Sequence, residues 1–414
     1  DASPISTAEL VIGKYLGATT ALAALSLGVL LTTILIQAAK ISITGSPFTL
    51  EPYLIYLGVM ALPSLVFVSA LTFVLGALLR KQTAVALTIG AYTIGVVLFL
   101  GRRYNGVFDF GAFFAPLFYS DLLGMGDISD VLAQRLMYLM LAFGLLGLSI
   151  NRYPRLSQSA GWMRIGQGMA FVGFLGSATV YGYTQHLDEI ADIYRATLLT
   201  EHRSVKEQLE PVVTNYSISI DLLGSRGPLD ATVTLNVKNP HLVPVKEMVL
   251  NLNAGLEVHE VLNDEGALGY DRQSSFVRIP SVLAPGDSTR ITVSYFGSID
   301  LDAFDLVKAE SRLEKSRHPF YKGDLTSWIT SRSVFLPPRS RWYPVFGPDY
   351  HGERQPVYTT AEINVTVPGN LTVITQGVKT DSSSADGRRT TKWVIDTPVP
   401  AFSLNAGVYE VFEA

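Results

Sequence analysis

Six histidines are the first residues of this chain to weigh for chemistry: His186, His202, His241, His259, His318 and His351. No two are four residues apart, so the helical H-E-x-x-H arrangement, which sets two imidazoles on one helix face around a zinc ion, is absent. His351 lies near Asp349 and Glu353. That grouping could hold a cation, although a plain loop histidine is the commoner meaning of such a pattern. His259 precedes Glu260 on an alternating stretch and reads as a surface histidine. Asp300 and Asp302 are read as sharing one face of a strand, as solvated carboxylates do. Gly13-Lys14 is followed by Tyr15 rather than Ser or Thr. No phosphate-cradling loop is present, and any ATP hydrolysis must come from another polypeptide. No G-x-S-x-G elbow occurs. The chain has no cysteine, which excludes disulfides, thiolate metal sites and cysteine nucleophiles. No catalytic, cofactor-binding or metal-ligating residue can be assigned on these grounds.

The elements that would position any site divide sharply. Five long uncharged stretches occupy the first 187 residues: between Lys14 and Lys40, Glu51 and Arg80, Lys81 and Arg102, Arg135 and Arg152, and Arg164 and Asp188. A bilayer core of roughly 30 Å takes about 20 apolar residues as helix. The spacing predicts five transmembrane helices over residues 1–184. The fourth stretch is short and must recruit Val131 to Gln134, with Arg135 facing protein or snorkelling to the interface. Pro63 is expected to kink the second helix, which membranes tolerate. The aromatic segment Val107 to Val131 is too short and polar to cross. It fits an interfacial belt or a re-entrant hairpin. The opening residues Asp1 to Gly13 lack the basic start of a signal peptide and read as part of something longer.

Charge sets the expected sidedness. Lys14, Arg80, Lys81, Arg152, Arg155 and Arg164 fall on one side, against Lys40, Arg102 and Arg103 on the other. Basic loops stay in the cytoplasm, so Asp1 is expected inside and everything after Tyr183 outside. Up to residue 184 the chain holds 10 of its 32 Lys and Arg and 7 of its 36 Asp and Glu. The remainder is therefore acidic, which argues against nucleic acid as a partner.

Residues 185–210 form a separate expectation. Leu187, Ile190, Tyr194, Leu198, Val205 and Leu209 recur at three- and four-residue steps until Pro211. This predicts an amphipathic helix, a stalk or a membrane-surface element, with a coiled coil as the weaker alternative. From Val213 the period becomes two. Tyr216 to Leu222, Val233 to Val237, Met248 to Leu252, Leu256 to Val261, Phe276 to Ile279 and Ile291 to Tyr295 alternate. A second block runs over Thr360 to Val367, Leu371 to Gln376, Lys392 to Asp396 and Phe402 to Val411. Strands at this spacing with Gly-Pro-Asn punctuation predict an all-β, sandwich or saddle-like domain over 211–414. Leu301 to Tyr358 reads as a long functional or covering connection, and Thr380 to Arg389 as a solvated hairpin tip. Three N-glycosylation triplets, at Asn215, Asn364 and Asn370, are taken as chance.

Two stretches resemble known families. Ser3 to Gly17, SPISTAELVIGKYLG, resembles the cytoplasmic entry to a membrane helix in permease subunits of ABC-type exporters. The resemblance implies that four of the helices match that family's last four. It places Val107 to Val131 at an outer re-entrant hairpin and makes Ile165 to Tyr183 an extra exporting helix. The second resemblance covers residues 211–414. Ser340-Arg341-Trp342-Tyr343-Pro344, Tyr358 to Pro368, Leu371 to Ile374, Gln376-Gly377 and Phe402 to Tyr409 are similar to the N-terminal β domain of the aminopeptidase N family of zinc peptidases. Here Val345 to Asp349 replaces that family's C-x-D-x-P. The Gln that the family's domain supplies to the substrate site has no counterpart near Ser333. By this resemblance zinc belongs to a following domain.

The combined expectation is a bacterial inner-membrane protein, a transporter permease fused to an exterior aminopeptidase-like module. Its partners would be the lipid bilayer, a separate cytoplasmic ABC ATPase meeting Ser3 to Gly13, a homo- or pseudo-dimeric mate, and peptide substrates. The alternatives are a membrane-anchored zinc aminopeptidase whose catalytic domain lies elsewhere, and an exterior binding module without catalysis.

Overall fold

The computed structural model describes residues 5–44, 48–101, 106–114, 128–153, 160–303, 327–348 and 357–409. Among them, residues up to Glu189 form one compact unit and those from Ile190 onward a second.

The first unit is helical. It comprises α1 (Thr7–Thr44), α2 (Glu51–Ile55), α3 (Leu62–Leu79), α4 (Gln82–Gly95), α5 (Ser129–Arg152) and the first part of α6 (Ala160–Ser204). A π turn over Tyr56–Ala61 joins α2 to α3 and ends just before Pro63. Proline cannot donate to the turn below it, and a widened turn absorbs the misfit. Four helical stretches, Thr7–Lys40, Glu51–Leu79, Gln82–Leu100 and Ser129–Arg152, are long and apolar enough to cross a membrane. The fifth expected crossing, Ile165 to Tyr183, lies within α6 and falls outside that group. Gln167 and a series of glycines dilute its hydropathy. α1 buries only its first turns, through Ala8, Val11 and Tyr15. The Tyr15 hydroxyl donates to the Val66 carbonyl at 3.0 Å.

α5 and α6 meet through glycine. A Cβ on Gly173 would stand 2.3 Å from the Gly144 nitrogen, and one on Gly147 would stand 2.6 Å from the Gly166 carbonyl. Bare backbones in this contact allow the close approach by which apolar helices pack without a hydrophobic driving force.

Among the described residues the second unit holds sixteen strands. In chain order they are β1 (Val212–Gly224), β2 (Gly227–Lys238), β3 (Met248–Asn251), β4 (Leu256–Asn263), β5 (Gly266–Ala267) and β6 (Asp271–Gln273). There follow β7 (Phe276–Ile279), β8 (Ser288–Gly297), β9 (Trp328–Ile329), β10 (Ser333–Leu336) and β11 (Val345–Phe346). The last are β12 (Thr359–Pro368), β13 (Thr372–Thr375), β14 (Val378–Ala385), β15 (Arg388–Val399) and β16 (Leu404–Gly407). An eight-stranded sheet runs β14-β15-β12-β1-β2-β8-β4-β5, beside two four-stranded sheets, β13-β16-β10-β9 and β11-β3-β7-β6. β1 and β12 pair in parallel, Ile218 opposite Ile363. The alternation of β1, β2, β8 and β12 sends Ile218, Val233, Val293 and Ile363 into one core shared with Leu250, Val334 and Leu404 from the smaller sheets and with Trp342 from the turn before β11.

Thr380 to Arg389, read as a solvated hairpin tip, is the end of the β14–β15 hairpin, with β14 an edge strand exposed along its whole length. Only Asp386 and Gly387 turn the chain. Other sequence expectations change here. The described residues of the connection Leu301 to Tyr358 include three short strands, and its Trp342 and Tyr343 are buried in the core; 304–326 and 349–356 lie outside the described residues. The amphipathic pattern expected to reach Leu209 stops earlier, since α6 ends at Ser204. Its last turns are not a free stalk. Leu198 and Leu199 pack on Ala303, and Val205, just beyond the helix, packs on Val249 and Phe276.

The glycine contact is testable. Gly173→Leu or Gly147→Leu should cost roughly 1–3 kcal/mol by overpacking and lower the unfolding temperature of the detergent-solubilised protein. Gly168→Leu, where a Cβ meets nothing within 4 Å, should leave it unchanged.

Candidate functional site

The titratable residues singled out by sequence do not converge. His259 is exposed on β4. The His241 Nε2 lies 2.8 Å from the Glu210 carbonyl. Among the described residues no group of three or more His, Asp and Glu could hold a metal ion, so they do not fit the family's zinc. His318, His351 and Asp349 lie outside the described residues. Asp300 and Asp302 follow β8 in a loop rather than sharing a strand face, and both are engaged by α6. The Tyr194 hydroxyl donates to Asp300 Oδ2 at 2.7 Å, and Arg195 pairs with Asp302. Glu9, in the stretch expected to meet an ATPase, closes a capping box. The Ser6 amide and hydroxyl both donate to Glu9 Oε2 at 2.7 Å, and the Glu9 amide donates back to Ser6 Oγ at 3.2 Å. Reciprocal bonds of this kind satisfy helix-start donors and account for the S-x-x-E spacing without a partner.

Three arrangements do bring residues together. The first is in the helical unit. Arg135 is 2% exposed, so it faces protein and does not snorkel. It donates to the carbonyls of Phe110 at 2.7 Å and Asp109 at 2.9 Å, and to Ser64 Oγ at 3.3 Å. Gln134 donates to the Gly106 carbonyl at 2.7 Å, Tyr138 to that of Val107, and Tyr92 to that of Phe108 at 3.3 Å. Each carbonyl from Gly106 to Phe110 thus accepts from a side chain. The Asp109 carboxylate in turn accepts the amides of Phe113 and Phe114, each at 3.0 Å. Phe110 stacks on Tyr92 with centroids 5.3 Å apart and packs on Phe67 at 5.8 Å. Residues 106–114 are therefore docked on the helices through their carbonyls and Phe110, while the rings of Phe108 and Phe113 stay exposed. Residues 115–127 of that segment lie outside the described residues.

The second arrangement gathers the residues of the aminopeptidase resemblance. Trp342 and Phe402 are fully buried. The Phe402 amide donates to the Tyr343 hydroxyl at 3.1 Å, and the Trp342 Nε1 to the Phe402 carbonyl at 3.3 Å. Tyr216 stands edge-on to both Tyr343 and Phe402 at about 5.5 Å. Burial raises the phenols of Tyr216, Tyr295 and Tyr343 above their ordinary range. They stay neutral and serve as donors and acceptors. Gln376 staples the closing strand, donating to Ser403 Oγ at 2.8 Å and accepting the Ser403 amide at 3.0 Å. Gly377 has φ +88°, and a Cβ there would lie 2.3 Å from the Val394 carbonyl, so both conformation and space demand glycine.

The third is the outward face of the sheet β13-β16-β10-β9. Register sets Ile374, Asn405, Phe335 and Trp328 in one row across it. Trp328 and Phe335 rings are 4.8 Å apart. The Trp328 Nε1 donates to Ser333 Oγ at 3.0 Å, which occupies the hydroxyl where the family's Gln was sought. Sequence reasoning missed this row because β9 is only two residues long.

His202 sits where α6 ends, its ring 4.6 Å from that of Phe276. Burial first, and the Arg341 cation second, push its pKa down to about 4.

A scan against protein-family models gives no match, and neither does a search of curated proteins. Solved structures give similarities over about half of this chain. The M1 zinc metallopeptidase of Deinococcus radiodurans is 20% identical with a TM-score of 0.38, covering 48% of this chain and 43% of that one. Legionella pneumophila aminopeptidase A is 15% identical with a TM-score of 0.37, covering 49% and 22%. Yeast LTA4 hydrolase is 14% identical with a TM-score of 0.34, covering 48% and 29%. The chain spans less than half the length of each of these structures. These comparisons give no support to an exporter permease.

Two outcomes test these environments. Arg135→Met should destabilise the helical unit by roughly 3 kcal/mol, since buried carbonyls lose their donors. Arg135→Lys should recover only part, because one ammonium lacks the planar fork. Thermal unfolding in detergent measures both. Because burial and the Arg341 cation push the His202 imidazole down to about 4, below its ordinary range, the unfolded chain binds its proton first as pH falls. Stability is complete above about pH 6.5 and should fall by about 2 kcal/mol at pH 5. His202→Leu should flatten that dependence, followed by tryptophan fluorescence on heating. An unchanged pH profile in the variant would contradict the assignment.

Proposed function

We propose that this chain joins a membrane-embedded helical module, in which Ile165 to Tyr183 of α6 makes a fifth crossing beside the four longer apolar stretches, to an aminopeptidase N-type β domain displayed on the side opposite Asp1, outside the inner membrane of a bacterium. The β domain covers and shapes a peptide-processing site, its outward row of Trp328, Phe335, Asn405 and Ile374 meeting peptide or the catalytic domain. One observation carries this reading. The Arg-Trp-Tyr-Pro corner and the closing Phe-Ser strand, some sixty residues apart in sequence, pack as a single buried cluster joined by two hydrogen bonds. The chain contains no H-E-x-x-H, so zinc and the general base of peptide hydrolysis are assigned to none of its residues.

A second reading makes the helical unit an exporter permease working with a separate ATPase. It rests on the order of the helices and on the resemblance of Ser3 to Gly17. The capping box at Ser6 and Glu9 removes part of that support. Co-purification of an ATPase from native membranes would favour it.

Sidedness is the direct test. Protease added to intact spheroplasts should digest the β domain and spare an epitope placed before Asp1. Protection of the β domain until lysis would overturn the proposed topology.

A further inference from the structure

β2 and β8 pair along their length, from Leu229 opposite Gly297 to Lys238 opposite Ser288. The Gly297 end leads to Asp300 and Asp302, where α6 is held through Tyr194 and Arg195. The Lys238 end leads into two loops, 239–247 and 280–287, that carry an apolar tip. There Leu242 is 96% exposed, Val282 70% and Val243 51%. Pro240, Pro244 and Pro285 are exposed beside them. Contiguous apolar surface of this kind marks an interaction site.

The tip is rigid. Asn239 is fully buried. Its side-chain amide donates to the carbonyls of Val243, Leu283 and Ala284 at 3.0, 2.9 and 3.2 Å, and its Oδ1 accepts the His241 amide at 2.9 Å. Val245 and Leu283 exchange both backbone hydrogen bonds, at 3.0 and 2.8 Å. A surface ordered in advance loses little entropy on docking.

We propose that this tip is a self-association surface, two copies of the β unit meeting tip to tip about a two-fold axis. Pairing the exposed aliphatic and proline side chains removes on the order of 1,000 Å² from water, the lower bound of specific interfaces. The rim supplies charge complementarity. Lys238 and Lys246 flank one loop and Asp287 the other, so rotation about the axis faces cations of one copy with the anion of its mate. The proposal does not depend on the peptidase reading.

Cross-linking tests it cleanly because the chain has no cysteine. In membranes holding the full chain, Leu242→Cys treated with a short bis-maleimide should give a covalent dimer. Ser384→Cys, on the exposed edge strand β14, should give none. Adding Val282→Asp to Leu242→Cys should cut the dimer several-fold while leaving the tryptophan emission of the folded domain unchanged. Equal cross-linking at both positions would overturn the proposal. A nitroxide on Leu242→Cys relaxed by lipid-phase oxygen would overturn it in favour of a bilayer contact. One relaxed by aqueous reagents without dimer formation would overturn it in favour of a solvated loop.

Discussion

Backbone that leaves the ladders of helix and strand still carries an acceptor at every residue and a donor at all but proline, and where water is excluded side chains must meet them. That constraint organises both units. In the helical unit, Gln134, Arg135, Tyr138, Tyr92 and Ser64 satisfy the carbonyls of residues 106–110. In the β unit two buried asparagines do the same at opposite ends of β2 and β8. Asn239 holds the apolar tip. Asn253 donates to the carbonyls of Asp300 and Ser340 and accepts the amides of Gly255 and Asp300. The second asparagine ties the loop that α6 rests on to the corner bearing Trp342.

Arginine recurs in this role. Arg272 donates to the carbonyls of Leu252, Asn253 and Leu256. Arg388 donates to those of Leu222 and Leu223 and pairs with Asp221. A planar guanidinium can serve several carbonyls at once, where a lysine offers one point of charge. These cations are thus structural. Burial draws the pKa of Arg272 down to about 10, which still leaves it charged near neutrality. Arg272 and Arg388 are both committed to carbonyls of the fold. Their charges are spent on loops.

What was legible in the sequence follows from how local each signal is. The alternation in β1, β2, β8 and β12 identified strands because one face is dry and the other wet. β14 escaped because both of its faces are wet, so no alternation marks it. β9 and β11 escaped because two residues cannot show a period. Arg135 could be read as an interface residue, since nothing within α5 announces five carbonyls waiting on another segment. The glycines joining α5 and α6 were likewise silent, because a glycine's function there is defined by the backbone it lets approach. The capping box is legible as a spacing, and its hydrogen bonds account for that spacing within one helix turn.

That last contrast bears on function. A motif whose residues satisfy one another within a single helix turn is explained where it stands, and it says little about what else the protein touches. Ser6 and Glu9 are of this kind. The aminopeptidase-like residues are not. Tyr216, Trp342, Tyr343 and Phe402 come from distant strands and turns, each is buried, and each contacts another member of the set. Helix or strand propensity alone would not select aromatic residues at those four positions together. Only the assembled β unit does, through ring packing and through a Phe402 amide that needs the Tyr343 hydroxyl. Convergence across the fold is therefore the stronger warrant. It ties the residues that carry the aminopeptidase resemblance into one buried cluster, whereas the entry motif closes on itself within one helix turn.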